Sequence, residues 1–238
     1  MQLIYKGLAG SQLYGTATPE SDTDYVEVYL PYKTDIFGLG DKWKGMTQET
    51  GDEDFQRFKV NQYVKLLCKG NPNVLETVFC PPYGIVYTHD AWTIVTDNVA
   101  ALLSKTSIIK SHLGFAIQQL SKMLPASAKD AGPRRRVLCE KYGYDVKYAA
   151  HAIRLCHQCS EILFRGFIQY PYQLEFADHL LDIRAGKFTL AEVREEFAER
   201  MAKVQKQEQG DCFLNDDNKT SEANVRLYRF YKEIGYAA

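Results

Sequence analysis

Gly10-Ser11-Gln12-Leu13-Tyr14-Gly15-Thr16-Ala17-Thr18-Pro19-Glu20-Ser21-Asp22-Thr23-Asp24 is the stretch on which the reading of this chain turns. It follows the apolar segment Leu3-Ile4-Tyr5 and runs into Tyr25-Val26-Glu27-Val28-Tyr29-Leu30, whose alternation predicts a strand over 24–30 with Val26, Val28 and Leu30 on one face. Side chains alternate across a strand, so Asp22 and Asp24 project to the same side, about 7 Å apart along the backbone. Two carboxylates so placed suit a hard cation such as Mg²⁺ (or Mn²⁺), which takes oxygen ligands. The Gly10-Ser11 turn, with Ser11 eleven residues before Asp22, offers backbone N–H groups and a hydroxyl to a phosphate. Carboxylates, cation and phosphate together imply phosphoryl chemistry. Taken alone, Ser21-Asp22-Thr23-Asp24 also reads as an Asx-rich turn.

The rest of the N-terminal part supports a small sheet. Residues 2–9 read as a first strand and 11–14 as a helical turn. A glycine-rich connection (Gly38, Gly40, Gly45, Gly51) and the acidic cluster Asp52-Glu53-Asp54 then lead into Phe55-Gln56-Arg57-Phe58, a third strand. Helices are predicted over 61–69 and 73–79, stopped by Gly70-Asn71-Pro72 and Pro81-Pro82, with Asn71 read as structural. From Trp92 onward the pattern is helical, at about 92–104, 107–124, 146–164, 189–207 and 221–234, with turn-rich loops at 125–133 and 208–220. The expected class is α+β: a small mixed sheet in residues 1–90 and a mainly helical region in 91–238.

Composition narrows the setting. Hydrophobic content of 45% with 25% charged residues is that of an ordinary globular protein, and 238 residues suffice for a substantial core. No apolar run approaches the ~20 residues of a membrane span, and the apolar start is broken at Lys6, so a cytoplasmic protein is expected. The six cysteines lack the regularity of a disulfide framework and are expected as reduced thiols. Cys156-His157-Gln158-Cys159 has no second ligand pair at finger-like spacing, which argues against zinc. A net charge of −1 excludes a uniformly basic surface. Locally, however, residues 122–147 hold seven basic side chains against three acidic ones, including the run Arg134-Arg135-Arg136. That stretch is either a solvated loop or a phosphate-attracting patch.

Asp145 is a good N-cap for the helix that ends before Gly166, and on that helix Lys147, His151 and Arg154 fall at i, i+4 and i+7. Such a face is a polar stripe opposite Tyr148, Leu155, Cys159 and Ile162, or a set of donors for a nucleoside triphosphate. Lys141, Tyr142, Tyr144 and Asp145 stand beside it as weaker candidates, since a chain with 16 tyrosines gives little weight to any one of them.

The Gly10-Ser11 turn followed by Asp22-x-Asp24 resembles the signature of nucleotidyltransferases of the DNA polymerase beta superfamily. Two further blocks, Gly70-Asn71-Pro72-Asn73-Val74-Leu75-Glu76 and the segment from Lys141 to Leu155, look like those of the stand-alone nucleotidyltransferases associated with RNA repair in bacteria and their phages. Together the blocks span roughly the first two thirds of the chain. The resemblance implies a catalytic core in 1–90, completed by the helical region. It implies a metal-dependent enzyme moving a nucleoside monophosphate from an NTP to an acceptor hydroxyl, foremost an RNA 3′ end, with release of pyrophosphate. Asp22 and Asp24 would hold the metal. A third carboxylate, joining them at the metal or taking up the proton of the attacking hydroxyl, is expected from a neighbouring strand; Asp54 is chosen for it, with Asp52 and Glu53 as rivals because a one-residue change of register flips the face. Gly10, Ser11, Lys147, His151 and Arg154 would bind nucleotide, Arg134, Arg135 and Arg136 RNA, and Glu76 would support the metal site or pair with an arginine. Toxin-like nucleotidylation of a protein side chain and a noncatalytic nucleotide- or RNA-binding module are the alternatives.

Overall fold

The computed structural model describes residues 1–37, 46–50, 53–124, 133–210, 212–214 and 220–235. They divide into two compact units, Met1–Ser104 with Asp216–Ala238, and Lys105–Asn215.

The first unit is built on a five-stranded mixed sheet in the order β3-β4-β2-β1-β5. Its strands are β1 (Gln2–Ala9), β2 (Thr23–Leu30), β3 (Met46–Thr50), β4 (Glu53–Lys59) and β5 (Ile85–Thr88). β2 and β4 pair in parallel, and every other pairing is antiparallel. Short helices α1 (Gly10–Tyr14) and α2 (Lys33–Phe37) interrupt the strands. α3 (Val60–Cys68), α4 (Pro72–Val78), α5 (Thr93–Thr96) and α6 (Val99–Leu102) follow. The C-terminal α12 (Thr220–Glu233) returns to pack on α3, α5 and α6. β3 and β5 are strands that the sequence pattern did not announce. The former lies in the glycine-rich connection, and the latter follows Pro81-Pro82 as a four-residue edge.

One face of the sheet is covered by helices. Val26, Val28 and Leu30 are buried as the alternation requires, and Ile4 and Tyr5 of β1 join them. Tyr5 stacks on Trp92 at 4.3 Å and donates its hydroxyl to the Thr77 carbonyl at 2.9 Å, tying β1 to α4. On the other face Glu27 is also buried, because the Arg57 Nε at 2.7 Å and the Tyr29 hydroxyl at 2.6 Å close over its carboxylate. A buried carboxylate is tolerated only with such donors. The single helix expected over 92–104 is instead α5 and α6 with a break at Asp97-Asn98. There the Asn98 side chain donates to the Ile94 carbonyl, competing with the helical ladder.

The second unit is an all-helical bundle of α7 (Lys105–Lys122), α8 (Pro133–Tyr142), α9 (Val146–Arg165), α10 (Leu174–Arg184) and α11 (Leu190–Gln209). α8 and α10 have no counterpart among the helices read from the sequence. α9 is the central element, packed by α7, α10 and α11. Asp145 caps its start by accepting from the Lys147 and Tyr148 N–H groups, and Gly166 ends it. The apolar stripe through Ala149, Ala152, Ile153, Cys156, Cys159 and Ile162 is buried. Cys156 and Cys159 are thus core thiols, and burial pushes the first up to about 12 and the second higher still. All six cysteines are free.

His157 stacks on Phe176 at 3.8 Å. Burial first, then Arg200, Lys203 and Arg165, pull its pKa down to about 3, outweighing the Glu161 carboxylate 3.7 Å away. The folded state therefore binds fewer protons than the unfolded chain between the ordinary histidine range, near ~6.5, and about 3. The stability contributed is complete above that window and is lost as pH falls through it. Thermal melts at pH 7.5 and 5.0 should show a drop in Tm for the wild type. In His157→Phe, which keeps the ring stack without the titration, the drop should be smaller.

Candidate active site

β1 ends at Ala9, and Gly10 turns the chain into α1 with φ 61°. Two constraints meet at this glycine. Its left-handed backbone is costly for any L side chain. In addition, a Cβ there would lie 1.8 Å from Asp24 Oδ2 and 2.7 Å from Asp24 Cγ. Asp24 therefore sits directly against the Gly10 backbone, in space that only glycine leaves open. Ser11 follows, partly exposed, with its carbonyl accepting from the Thr16 N–H at 3.0 Å.

Asp24 lies on β2, between β1 and β4. It is the register partner of Ala9 on one side and of Asp54 on the other. Register partners in a parallel pair project to the same face, with strands ~4.8 Å apart, so Asp24 and Asp54 are adjacent carboxylates at one end of the sheet. Both are partly buried. Glu53 partners Thr23 and belongs to the opposite face. Asp52 lies outside the described residues. Asp22 is not within the strand as expected but one residue before it, exposed, after a turn in which Ser21 Oγ accepts from the Thr18 N–H. Among the described residues no three His, Cys, Asp or Glu side chains are gathered closely enough to hold a metal ion, so Asp22 does not stand with Asp24 and Asp54 as a closed triad. What is present is a pair of adjacent carboxylates, a third on the preceding turn, and the Gly10 backbone against which Asp24 sits. These are oxygen donors of the kind a divalent cation such as Mg²⁺ takes, and in that sense the residues fit one.

Glu76 is buried and accepts a short hydrogen bond from the Tyr14 hydroxyl. It thereby fastens α4 to α1, the element carrying Gly10 and Ser11. Tyr14 is a supporting residue that sequence reading missed; an aromatic on the buried side of a five-residue helix gives no signal of its own. Asn71 caps α4 by accepting from the Asn73 N–H, the structural role its position in Gly-Asn-Pro suggested.

The remaining candidates are on the second unit. Lys147 is exposed in the first turn of α9, while His151 and Arg154 on the same face are partly buried. Of the three arginines read as an RNA patch, Arg135 is turned inward. Its guanidinium is 3.5 Å from the Asp145 carboxylate and 5.1 Å from the centre of the Tyr148 ring. Arg136 is exposed, and the Arg134 side chain lies outside the described residues. No helix among the described residues is long and apolar enough to cross a membrane.

Comparison with known proteins adds the following. Residues 1–222 match the model of a family described as the RNA repair pathway DNA polymerase beta family. Over 133 residues the chain is 32% identical to an uncharacterized 38.9 kDa protein of the nrdC-mobD intergenic region of Enterobacteria phage T4. The match covers 51% of this chain and 39% of that protein's length. The crystal structure of a nucleotidyltransferase-like protein from Exiguobacterium sibiricum 255-15 aligns over 98% of this chain and 74% of that one. It does so at 10% identity and a TM-score of 0.30, too distant to bear on fold or chemistry. With the family match spanning nearly the whole chain, including the Gly10 turn and the Asp24–Asp54 pair, the protein belongs to the RNA repair pathway DNA polymerase beta family.

Proposed function

We propose that this protein transfers a nucleoside monophosphate from an NTP to the 3′ hydroxyl of an RNA, releasing pyrophosphate. The observation that carries the reading is the register of Asp24 with Asp54 against the Gly10 backbone. In the transfer, the acceptor oxygen forms a bond to the α-phosphorus. The bond from that phosphorus to the bridging oxygen breaks, and pyrophosphate leaves with the electron pair. Asp54 takes the proton of the attacking hydroxyl, a role that needs a carboxylate within hydrogen-bond reach of the acceptor. Asp22, Asp24 and Asp54 would hold Mg²⁺ (or Mn²⁺), and that ion would neutralise charge on the reacting phosphates. The Gly10-Ser11 turn supplies N–H and hydroxyl donors to the triphosphate. Lys147, His151 and Arg154 of α9 keep the nucleotide-binding role that the family resemblance implies for them. The exposed Arg136 fits contact with an RNA backbone better than Arg135, which Asp145 already engages. Six free thiols and the lack of a membrane-spanning helix among the described residues support a cytoplasmic site of action.

The test is incubation with each α-³²P NTP, Mg²⁺ or Mn²⁺, total RNA and lysate protein, followed by nuclease or protease. Label removed only by nuclease is expected. Label removed only by protease assigns the acceptor to a protein side chain, and no labelled macromolecule with any NTP leaves a binding module. On the donor side, Lys147→Ala and Arg154→Ala should each weaken binding of a nonhydrolysable NTP by about 1.5–3 kcal/mol, the scale of a hydrogen bond to a charged group. Arg154→Lys should recover only part, because an ammonium cannot reproduce a forked contact. Calorimetric titration measures both, and unchanged affinities would remove α9 from the nucleotide site.

A further inference from the structure

α1 is too short to hold itself in place. Its five residues fall well below the ~12–15 at which an isolated helix becomes marginal, and its start at Ala9 has no side-chain cap. Its placement therefore comes from what its side chains reach. Leu13 is fully buried, but apolar burial is non-directional and does not fix where so short a helix sits. Direction comes from hydrogen bonds. The Tyr83 hydroxyl reaches the Leu13 carbonyl at 3.4 Å, a long bond from a largely exposed side chain. The Tyr14 hydroxyl donates to Glu76 Oε2, and here both residues are buried, at 8% and 4% exposure, so neither can exchange the other for water.

Glu76 is a firm anchor because α4 is tied on its other sides. Asn71 caps its start, and Val74 and Leu75 are fully buried. Two further tyrosine hydroxyls end on it: Tyr5 of β1 on the Thr77 carbonyl and Tyr63 of α3 on the Val74 carbonyl, each at 2.9 Å. At the opposite end of α1 stands Gly10, whose backbone leaves no room for a Cβ beside the Asp24 carboxylate. A shift of α1 therefore moves the wall against which Asp24 sits. We infer that Tyr14 and Glu76 are positioning residues for the Asp24 carboxylate, acting from α4 through α1 and the Gly10 backbone. The inference rests on the reading of Asp24 as part of the reacting centre.

The experiment compares full-length wild type, Tyr14→Phe, Glu76→Ala, Glu76→Gln and Tyr63→Phe. Tyr63→Phe is the control: it removes a tyrosine bond to the same helix, leaves the Val74 carbonyl with the Thr77 hydroxyl as donor, and does not involve α1. Three quantities are measured. They are Tm, hydrogen exchange of the Gly15 and Thr16 amides, which both donate to the Ser11 carbonyl, and the single-turnover rate of α-³²P nucleotide transfer at saturating NTP. In Tyr14→Phe and Glu76→Ala the two amides should exchange about tenfold faster, because local opening of α1 no longer breaks the bond to α4. Transfer should fall by about 10- to 100-fold, the upper figure being that of a ~1 Å displacement at a reacting centre. Glu76→Gln keeps an oxygen acceptor for the Tyr14 hydroxyl and should recover most of both. Tyr63→Phe should lower Tm while exchange at α1 and transfer stay within about twofold of wild type. Tyr14→Phe that matches an active wild type in exchange or in transfer overturns the positioning role. An equal loss of transfer in Tyr63→Phe overturns it too, by making the effect one of overall stability. If Tyr14→Phe does not fold, the two Glu76 variants decide, and Glu76→Gln as impaired as Glu76→Ala overturns the role. A wild type that transfers nucleotide to no acceptor overturns the catalytic reading itself, and the positioning role falls with it.

Discussion

Asp24→Asn is expected to lower the rate of nucleotidyl transfer by roughly 10³-fold or more, with the melting temperature nearly unchanged. The substitution is isosteric and keeps an oxygen at the same place, so the fold loses little. It removes one of two adjacent negative charges at the end of the sheet. A metal-supported transition state that loses a ligand charge gives up several kcal/mol, and about 4 kcal/mol corresponds to the stated factor. Asp22→Asn should act in the same direction. Single-turnover incorporation of α-³²P nucleotide measures the effect, and near wild-type turnover in Asp24→Asn would withdraw this carboxylate from the reaction.

Gly10→Ala is the second large effect. The added methyl would overlap the Asp24 carboxylate, at 1.8 Å from Oδ2, and it would also sit on a backbone with φ 61°. The backbone cost alone is about 1–2 kcal/mol, or a fall in Tm of roughly 2–8 °C. Relief of the overlap must move Asp24 or the turn, and a displacement of ~1 Å at a reacting centre is worth about 10²-fold in rate. Gly235→Ala is the matched control. Gly235 also has positive φ, at 72°, but nothing stands within 4 Å of where its Cβ would be. It should lower Tm without touching transfer. Equal loss of activity in both variants would show that Gly10 matters through backbone strain alone.

The parts of this molecule that were legible in the sequence are those marked locally. β2 shows its alternation, α9 its Asp145 cap and terminal Gly166, and α4 its Asn71-Pro72 start. What was hidden depends on partners distant in sequence. β3 and β5 are short strands without an apolar pattern, specified by pairing to β4 and β1. α8 begins in a run of arginines that reads as a solvated loop, and it is packed against α9. Nothing local announces that α12 belongs with the sheet rather than with the helices before it. In the candidate site, the turn at Gly10-Ser11 was legible from its glycine, and the structure sets Asp24 against it, while Asp22 lies on the turn before β2. The face that separates Glu53 from Asp54 was not legible, because in a strand it rests on a one-residue register that only the parallel pairing of β2 with β4 defines, while Asp52 lies outside the described residues. The inward turn of Arg135 onto Asp145 was likewise invisible within a basic run.

The most direct measurement is a side-by-side rate comparison of Asp54→Asn and Glu53→Gln. The two residues are neighbours in sequence and alike in chemistry, and they differ in face: Asp54 lies beside Asp24, while Glu53 lies beside Thr23. Single-turnover transfer of α-³²P nucleotide to RNA should fall by roughly 10²–10⁴-fold in Asp54→Asn, the range for loss of a proton acceptor at the reacting hydroxyl. In Glu53→Gln it should stay within about twofold of wild type, as for an exposed carboxylate away from the reaction. The reverse order, or equal and mild effects in both, would contradict the Asp24–Asp54 pair as the centre of the reaction.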